Sequence, residues 1–317
     1  MRIWLIITIL VLCEGCYQRP EPHSFLEEPS SQPMQNKIVA SEPTPIPTPE
    51  YPGKSIDQIF PPHQIISGLH DKEDEKIKSL EIEGFTLKVS EFVPLSLEKN
   101  GLPVYKYDKR QREGYWGLIT GVSHLRGSGA KEIYSIVSGP GGVCCTNYSI
   151  VDISDNKPRT IFHSEDFGSF RDQMEVFDTD GDGVYELMQW DSCFRYFMDD
   201  CGSCSPEPRV YFKYENKHQR YLPAIGLTQD FVRKSLDETE KNLEEKLAEL
   251  NKTYDPETAL NHRRSVLSLF VDLVHIGEEK KAWNILATHK EDDAKTRTAI
   301  QERLANCPFY QFIKAKK

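Results

Sequence analysis

The sequence predicts an α+β protein: an antiparallel β-rich domain in blade-like meanders, followed by a small α-helical bundle. Three observations predict it. Short runs rich in Val, Ile, Phe and Tyr recur between about Ile82 and Pro223, punctuated by clusters of Gly, Asn, Asp and Pro. From Thr228 onward the apolar residues switch to a helical period. Ahead of both, a stretch rich in Pro, Glu, Ser and Gln carries no period at all. These shifts divide the chain into a leader at 1–15, a tether at 16–62, a β-rich domain at 63–226 and a helical domain at 227–317.

The leader comes first. Arg2 supplies a short positive region, and Ile3 to Leu12 is apolar. As a helix that run spans about 15 Å, half of a bilayer core, so it is too short to cross a membrane and fits a secretory signal. Gly15-Cys16 then resembles the cleavage point of a bacterial lipoprotein signal. That resemblance implies acylation of Cys16 and a place in the cell envelope, anchored by lipid to the outer membrane on its periplasmic or surface face. The other reading of the same residues is an ordinary cleaved signal with a soluble secreted product. In the tether, Ser41 to Pro52 holds Pro at 43, 45, 47, 49 and 52. Proline removes donors and keeps the chain near polyproline II, so the stretch forms no packed core and acts as a stalk.

Strands are expected over Phe85–Phe92, Tyr115–Val122, Ile133–Val137, Tyr148–Ile153, Phe170–Phe177, Val184–Trp190 and Arg209–Tyr214, about eight in all. Ser138-Gly139-Pro140-Gly141-Gly142 has the glycines of a phosphate loop but not its Lys and Ser/Thr, and reads as a tight turn.

Between two of these strands lies Asp178-Thr179-Asp180-Gly181-Asp182-Gly183-Val184-Tyr185-Glu186-Leu187. Calcium takes six to eight hard oxygens. Asp178, Asp180 and Asp182 fall at alternate places and can turn inward together where Gly181 and Gly183 let the chain curl. The Val184 carbonyl and the Glu186 carboxylate would complete the shell. The spacing follows an EF-hand for its first places, but the twelfth place is Gln189 and the flanks read as strands. A D-x-D-G-D-G-x-x-E-L loop between strands resembles the calcium loops of FG-GAP and VCBS-type repeats, and the resemblance covers this one hairpin. It implies a structural Ca²⁺. The other reading is an acidic turn without metal.

Eight cysteines suit an exported protein. Setting aside the leader and Cys16 leaves Cys144, Cys145, Cys193, Cys201, Cys204 and Cys307 as disulfide candidates. Adjacent cysteines rarely bond each other, so Cys144 and Cys145 are expected to reach partners among Cys193, Cys201 and Cys204. A four-cysteine zinc site and a redox pair at Cys201 and Cys204 are the alternatives. Asp199-Asp200 before the pair and prolines after it oppose a low thiol pKa. The run Phe194-Arg195-Tyr196-Phe197-Met198 reads as a core or edge strand, the alternative being an aromatic ligand surface.

In the helical part, Leu236, Leu243 and Leu250 recur every seven residues. Asp255-Pro256-Glu257 opens a second helix, ended by Gly277. Lys280–His289 and Ala294–Leu304 form two more, the last stopped by Asn306-Cys307-Pro308. Such paired helices resemble a tetratricopeptide hairpin, although no repeat of that length aligns.

A net charge of −10 without a basic patch excludes nucleic acid as a partner. No G-x-S-x-G, H-E-x-x-H or dinucleotide fingerprint is present, and none of the nine histidines has a ligand or triad context in sequence. The reading is therefore a membrane-tethered envelope protein with a structural calcium site, a non-catalytic module that binds or scaffolds a protein or glycan. The alternative is an exported enzyme, either a thiol–disulfide oxidoreductase using Cys201 and Cys204 or a hydrolase.

Overall fold

The computed structural model of the chain describes residues 53–67, 78–89, 96–106, 117–138, 146–155, 157–168, 170–199, 204–252 and 255–316. The leader, Cys16 and the proline-rich run lie outside them, as do Cys144, Cys145 and Cys201. The described residues belong to one compact unit. Among the described residues the architecture is α+β, with three antiparallel sheets of five, five and four strands and six α-helices.

The described chain opens with β1 (Lys54–Ser55), the single turn α1 (Ile56–Ile59) and β2 (Pro62–Ser67). The sequence places β1, α1 and the first residue of β2 in the tether; the structure folds them. Ile56 is fully buried beside Leu125 and Tyr134, and the Tyr134 hydroxyl donates to the Phe60 carbonyl at 2.7 Å. Both strands pair with distant partners, so nothing local announces them.

Three runs of consecutive antiparallel strands follow. The first holds β3 (Lys78–Ile82), β4 (Phe85–Val89), β5 (Ser96–Lys99) and β6 (Leu102–Lys106). The second holds β7 (Gly117–Ser123), β8 (Glu132–Ser138), β9 (Thr146–Asp152) and β10 (Arg159–His163), with β2 added beside β7. The third holds β11 (Phe170–Phe177), β12 (Glu186–Asp191), β13 (Arg209–Glu215) and β14 (Arg220–Pro223), with β1 added beside β11.

The second sheet is the middle layer. Along β8, Ile133 and Val137 pack with Phe85, Leu87 and Leu97 of the first sheet. Tyr134 and Ile136 point the other way, into a core with Val176, Leu187, Val210 and Phe212 of the third. A strand buried on both faces needs no polar alternation, which is why β8 reads as a continuous run. The outer face of the third sheet carries Met188 and Tyr211, and Phe231 of the first long helix stacks on Tyr211 with ring centroids 4.4 Å apart.

That helix is α2 (Ile225–Lys252), followed by α3 (Pro256–His275), α4 (Glu279–Thr288) and α5 (Ala294–Ala305). The caps match the sequence reading. Asp255 accepts from the Thr258 N–H with Pro256 in the first turn, and Gly277 takes φ +81° just past the end of α3. The chain continues into α6 (Pro308–Ala315), which the sequence reading treats as a stop. Proline at a helix's first position lacks only an N–H that would go unpaired there anyway, so Pro308 ends nothing and starts α6. This helix joins two cores: Phe309 and Ile313 enter the one between the second and third sheets, and Tyr310 enters the helical one. Among the described residues, no helix is long and apolar enough to cross a membrane.

Candidate functional site

The turn from β11 to β12 carries the acidic loop. Its base is the Phe177–Glu186 pair of the ladder. Gly181 and Gly183 take φ +76° and +80°, the left-handed region in which a side chain would be strained. The resulting curl brings one carboxylate oxygen from each of Asp178, Asp180 and Asp182 within 4.8 Å of the others. All three residues are exposed. Loop amides hold them in place. Asp178 accepts from the Gly181 and Gly183 N–H groups at 2.8 and 2.9 Å, and Asp182 accepts from the Val184 N–H at 2.8 Å.

Lys213 on β13 leans over this group, its Nζ 2.7 Å from Asp180 Oδ2. The hydrogen bond from Lys213 holds the Asp180 carboxyl below its ordinary range and lifts the lysine above its own. Glu186 is separate from the trio. It is fully buried, and its Oε2 accepts from the Thr179 amide at 2.9 Å and from the Thr179 hydroxyl at 2.6 Å. Its Oε1 lies 3.1 Å from Lys213 Nζ, an ion pair in an orientation that is not a hydrogen bond.

The loop is braced from the middle sheet. The turn after β7 presents the Leu125 carbonyl to the Tyr185 N–H at 2.7 Å. Gly127, at φ +89°, passes so close that a Cβ there would sit 3.2 Å from the Gly183 carbonyl oxygen. That turn is itself pinned by charge. Arg126 Nε donates to Glu132 Oε1 at 2.7 Å and its Nη2 to Asp152 Oδ1 at 2.5 Å, with both carboxylates buried. Burial pushes the Glu132 carboxyl up, against the opposing pull of Arg126.

The donor set fits a hard divalent cation. It is all oxygen, one oxygen from each of three carboxylates lies within 4.8 Å of the others, and the exposed side leaves room for water in the remaining positions. Lys213 already answers the same negative field with a single charge.

Two of the six disulfide candidates, Cys193 and Cys307, are placed differently from the sequence reading. Cys204 is in a disulfide. Cys193 and Cys307 are thiols, and they share one site with Asp191 in which one ligand atom from each lies within 4.8 Å of the others. The run Phe194–Met198 is not a strand. It is a turn followed by a 3-10 turn, with Tyr196 and Met198 at positive φ. Phe194 and Phe197 are driven into the helical core while Tyr196 faces solvent.

Sequence reasoning missed two members of this cluster. Asp191, at the end of β12, is fully buried and accepts from the Cys193 N–H at 2.9 Å and from the Cys307 thiol at 3.6 Å. His275, the last residue of α3 and also fully buried, has Nε2 2.8 Å from Asp191 Oδ2 and Nδ1 2.8 Å from the Val271 carbonyl. The Val271 carbonyl can only accept, so Nδ1 donates to it and Nε2 is turned to the Asp191 carboxyl. Only the D-x-C spacing of Asp191 and Cys193 is visible in sequence; His275 and Cys307 arrive from distant helices.

No protein-family model matches the chain, no curated protein matches it, and no solved structure matches it.

Proposed function

We propose that the chain is a membrane-tethered envelope protein whose β-rich part holds one structural Ca²⁺ and serves as a non-catalytic module for binding or scaffolding a protein or glycan. The observation that carries this reading is the convergence of Asp178, Asp180 and Asp182 on a glycine-curled loop between adjacent strands. Three negative groups at that separation repel one another, and a divalent ion removes the repulsion. In the bound state Lys213 swings off Asp180; as a half-exposed side chain it has solvent to move into. Gly127 and Leu125 couple the loop to the middle sheet, so an ion there would stiffen two layers at once.

Each run of four consecutive antiparallel strands is the unit from which propeller blades are built, and we read the three sheets as blade-like. Tethering rests on the apolar leader, Gly15-Cys16 and the proline-rich stalk. A structural bond at Cys204 rests on the acidic residues before the Cys201–Cys204 pair and the prolines after it, which oppose a low thiol pKa.

The test is a thermal melt of the full chain in chelator and in millimolar calcium, beside Asp180→Asn. The expected result is a calcium-dependent rise in melting temperature for the wild type and none for the variant. Superimposable wild-type curves in the two conditions would remove the metal from the proposal.

A further inference from the structure

Cys193 and Cys307 come from elements far apart in the chain. One lies in the turn after β12; the other is the residue that caps α6. Their sulfurs meet beside a buried carboxylate that accepts a hydrogen bond from the Cys307 thiol. The two differ in access, since Cys193 is partly exposed and Cys307 is fully buried.

We infer that Cys193 and Cys307 form a redox-active dithiol that closes into a disulfide by exchange with an external disulfide, locking α6 to the end of β12. The steps follow from access and from the hydrogen bonds. Cys193, as its thiolate, attacks one sulfur of R–S–S–R; a bond forms from Cys193 to sulfur, and R–S⁻ leaves. Cys307 then gives its proton to the Asp191–His275 pair and attacks Cys193 Sγ, and a second R–S⁻ leaves. Two protein thiols and one external disulfide become one internal disulfide and two external thiols. Two electrons pass to the external disulfide, and no further reagent is needed.

The roles are not interchangeable. Its hydrogen bond with Cys193, burial and the nearby Asp191 charge all push the Cys307 thiol up, so the partly exposed Cys193 attacks first and Cys307 attacks second, once its proton has passed to the carboxylate it touches. Asp191 acts by position: its other oxygen holds the Cys193 amide, so one carboxylate orients both halves of the pair. Closure would tie the turn that holds Phe194 and Phe197 in the helical core to the helix that places Phe309 among the sheets. This inference is independent of the calcium loop.

The experiment exposes the full chain to glutathione disulfide, alkylates free thiols in denaturant at low pH, digests it and reads the peptides by mass spectrometry. The expected result is a Cys193–Cys307 linked peptide that separates into two on reduction. Oxidation should raise the melting temperature by about 5–10 °C in the wild type and leave Cys193→Ser unmoved. Three results would overturn the inference: both sulfurs alkylated after exposure, either sulfur linked to a different cysteine, or one zinc per chain in the purified protein that is lost in both Cys193→Ser and Cys307→Ala. The peptide readout needs only the wild type, so a poorly folding variant does not blunt it.

Discussion

Lys213 Nζ sits 2.7 Å from Asp180 Oδ2, so the acidic loop meets a monovalent cation of its own chain. A lysine in that place has two opposite effects. It relieves the repulsion among the aspartates when no metal is present, and it repels a divalent ion that would take its place.

Lys213→Met separates these effects. Removing a positive charge a few ångströms from the ion position should tighten calcium binding by about fivefold. In chelator the same variant should melt below the wild type, because Glu186 and Asp180 lose their partner. Calorimetric titration and a melt in chelator read the two effects; a weaker calcium affinity in the variant would show that Lys213 does not compete for the site.

Glu186→Gln tests the base of the loop. The buried carboxylate takes two hydrogen bonds from Thr179 and faces Lys213 on its other side. An amide can turn its oxygen to Thr179 only by turning its NH₂ toward the lysine. The expected loss is about 1–3 kcal/mol, read from urea midpoints in chelator.

Arg126→Met removes the guanidinium between two buried acids. Glu132 keeps its burial but loses its ion pair, while Asp152 keeps Arg159 at 2.7 Å on its other oxygen. Breaking a buried pair from one side costs about 3–5 kcal/mol. Because the same turn braces Tyr185 and Gly183, calcium affinity should fall along with the urea midpoint.

His262 Nε2 and His289 Nδ1 lie 3.1 Å apart within the helical part, and at least one ring must be neutral for that bond to form. Burial holds both rings below the ordinary imidazole value; the His289 and Lys246 charges add to this at His262, and Glu244 opposes it at His289. A depressed folded-state value means that the unfolded chain takes up protons first as pH falls, so stability is present above about pH 6.5 and is lost below it. Melting temperatures at pH 7.5 and pH 5.5 should show the drop. The double variant His262→Gln and His289→Asn should flatten it, since those amides keep the spacing of the bonding atoms without titrating in that range.

What the sequence revealed was what is local. The runs that became β11, β12 and β13 carry their own β-branched and aromatic signal, and the Asp255 cap and the Gly277 stop sit next to the helix they bound. The aspartate trio was legible because its spacing and its glycines are one short segment. The rest depended on tertiary pairing. β1 and β2 have no pattern apart from the strands they join, β11 and β7. α6 was hidden by reading Pro308 as a terminator when it is an initiator. The Asp191–His275–Cys307 cluster draws on a strand end, a helix end and a helix start, so its members reveal their role only after the helices dock.

Isothermal calorimetry of calcium into the full chain, with Asp178→Asn/Asp180→Asn/Asp182→Asn as the control, tests the central claim most directly. A saturable heat with one ion per chain is expected in the wild type and none in the triple variant. No heat in the wild type, or equal heat in both proteins, would contradict it.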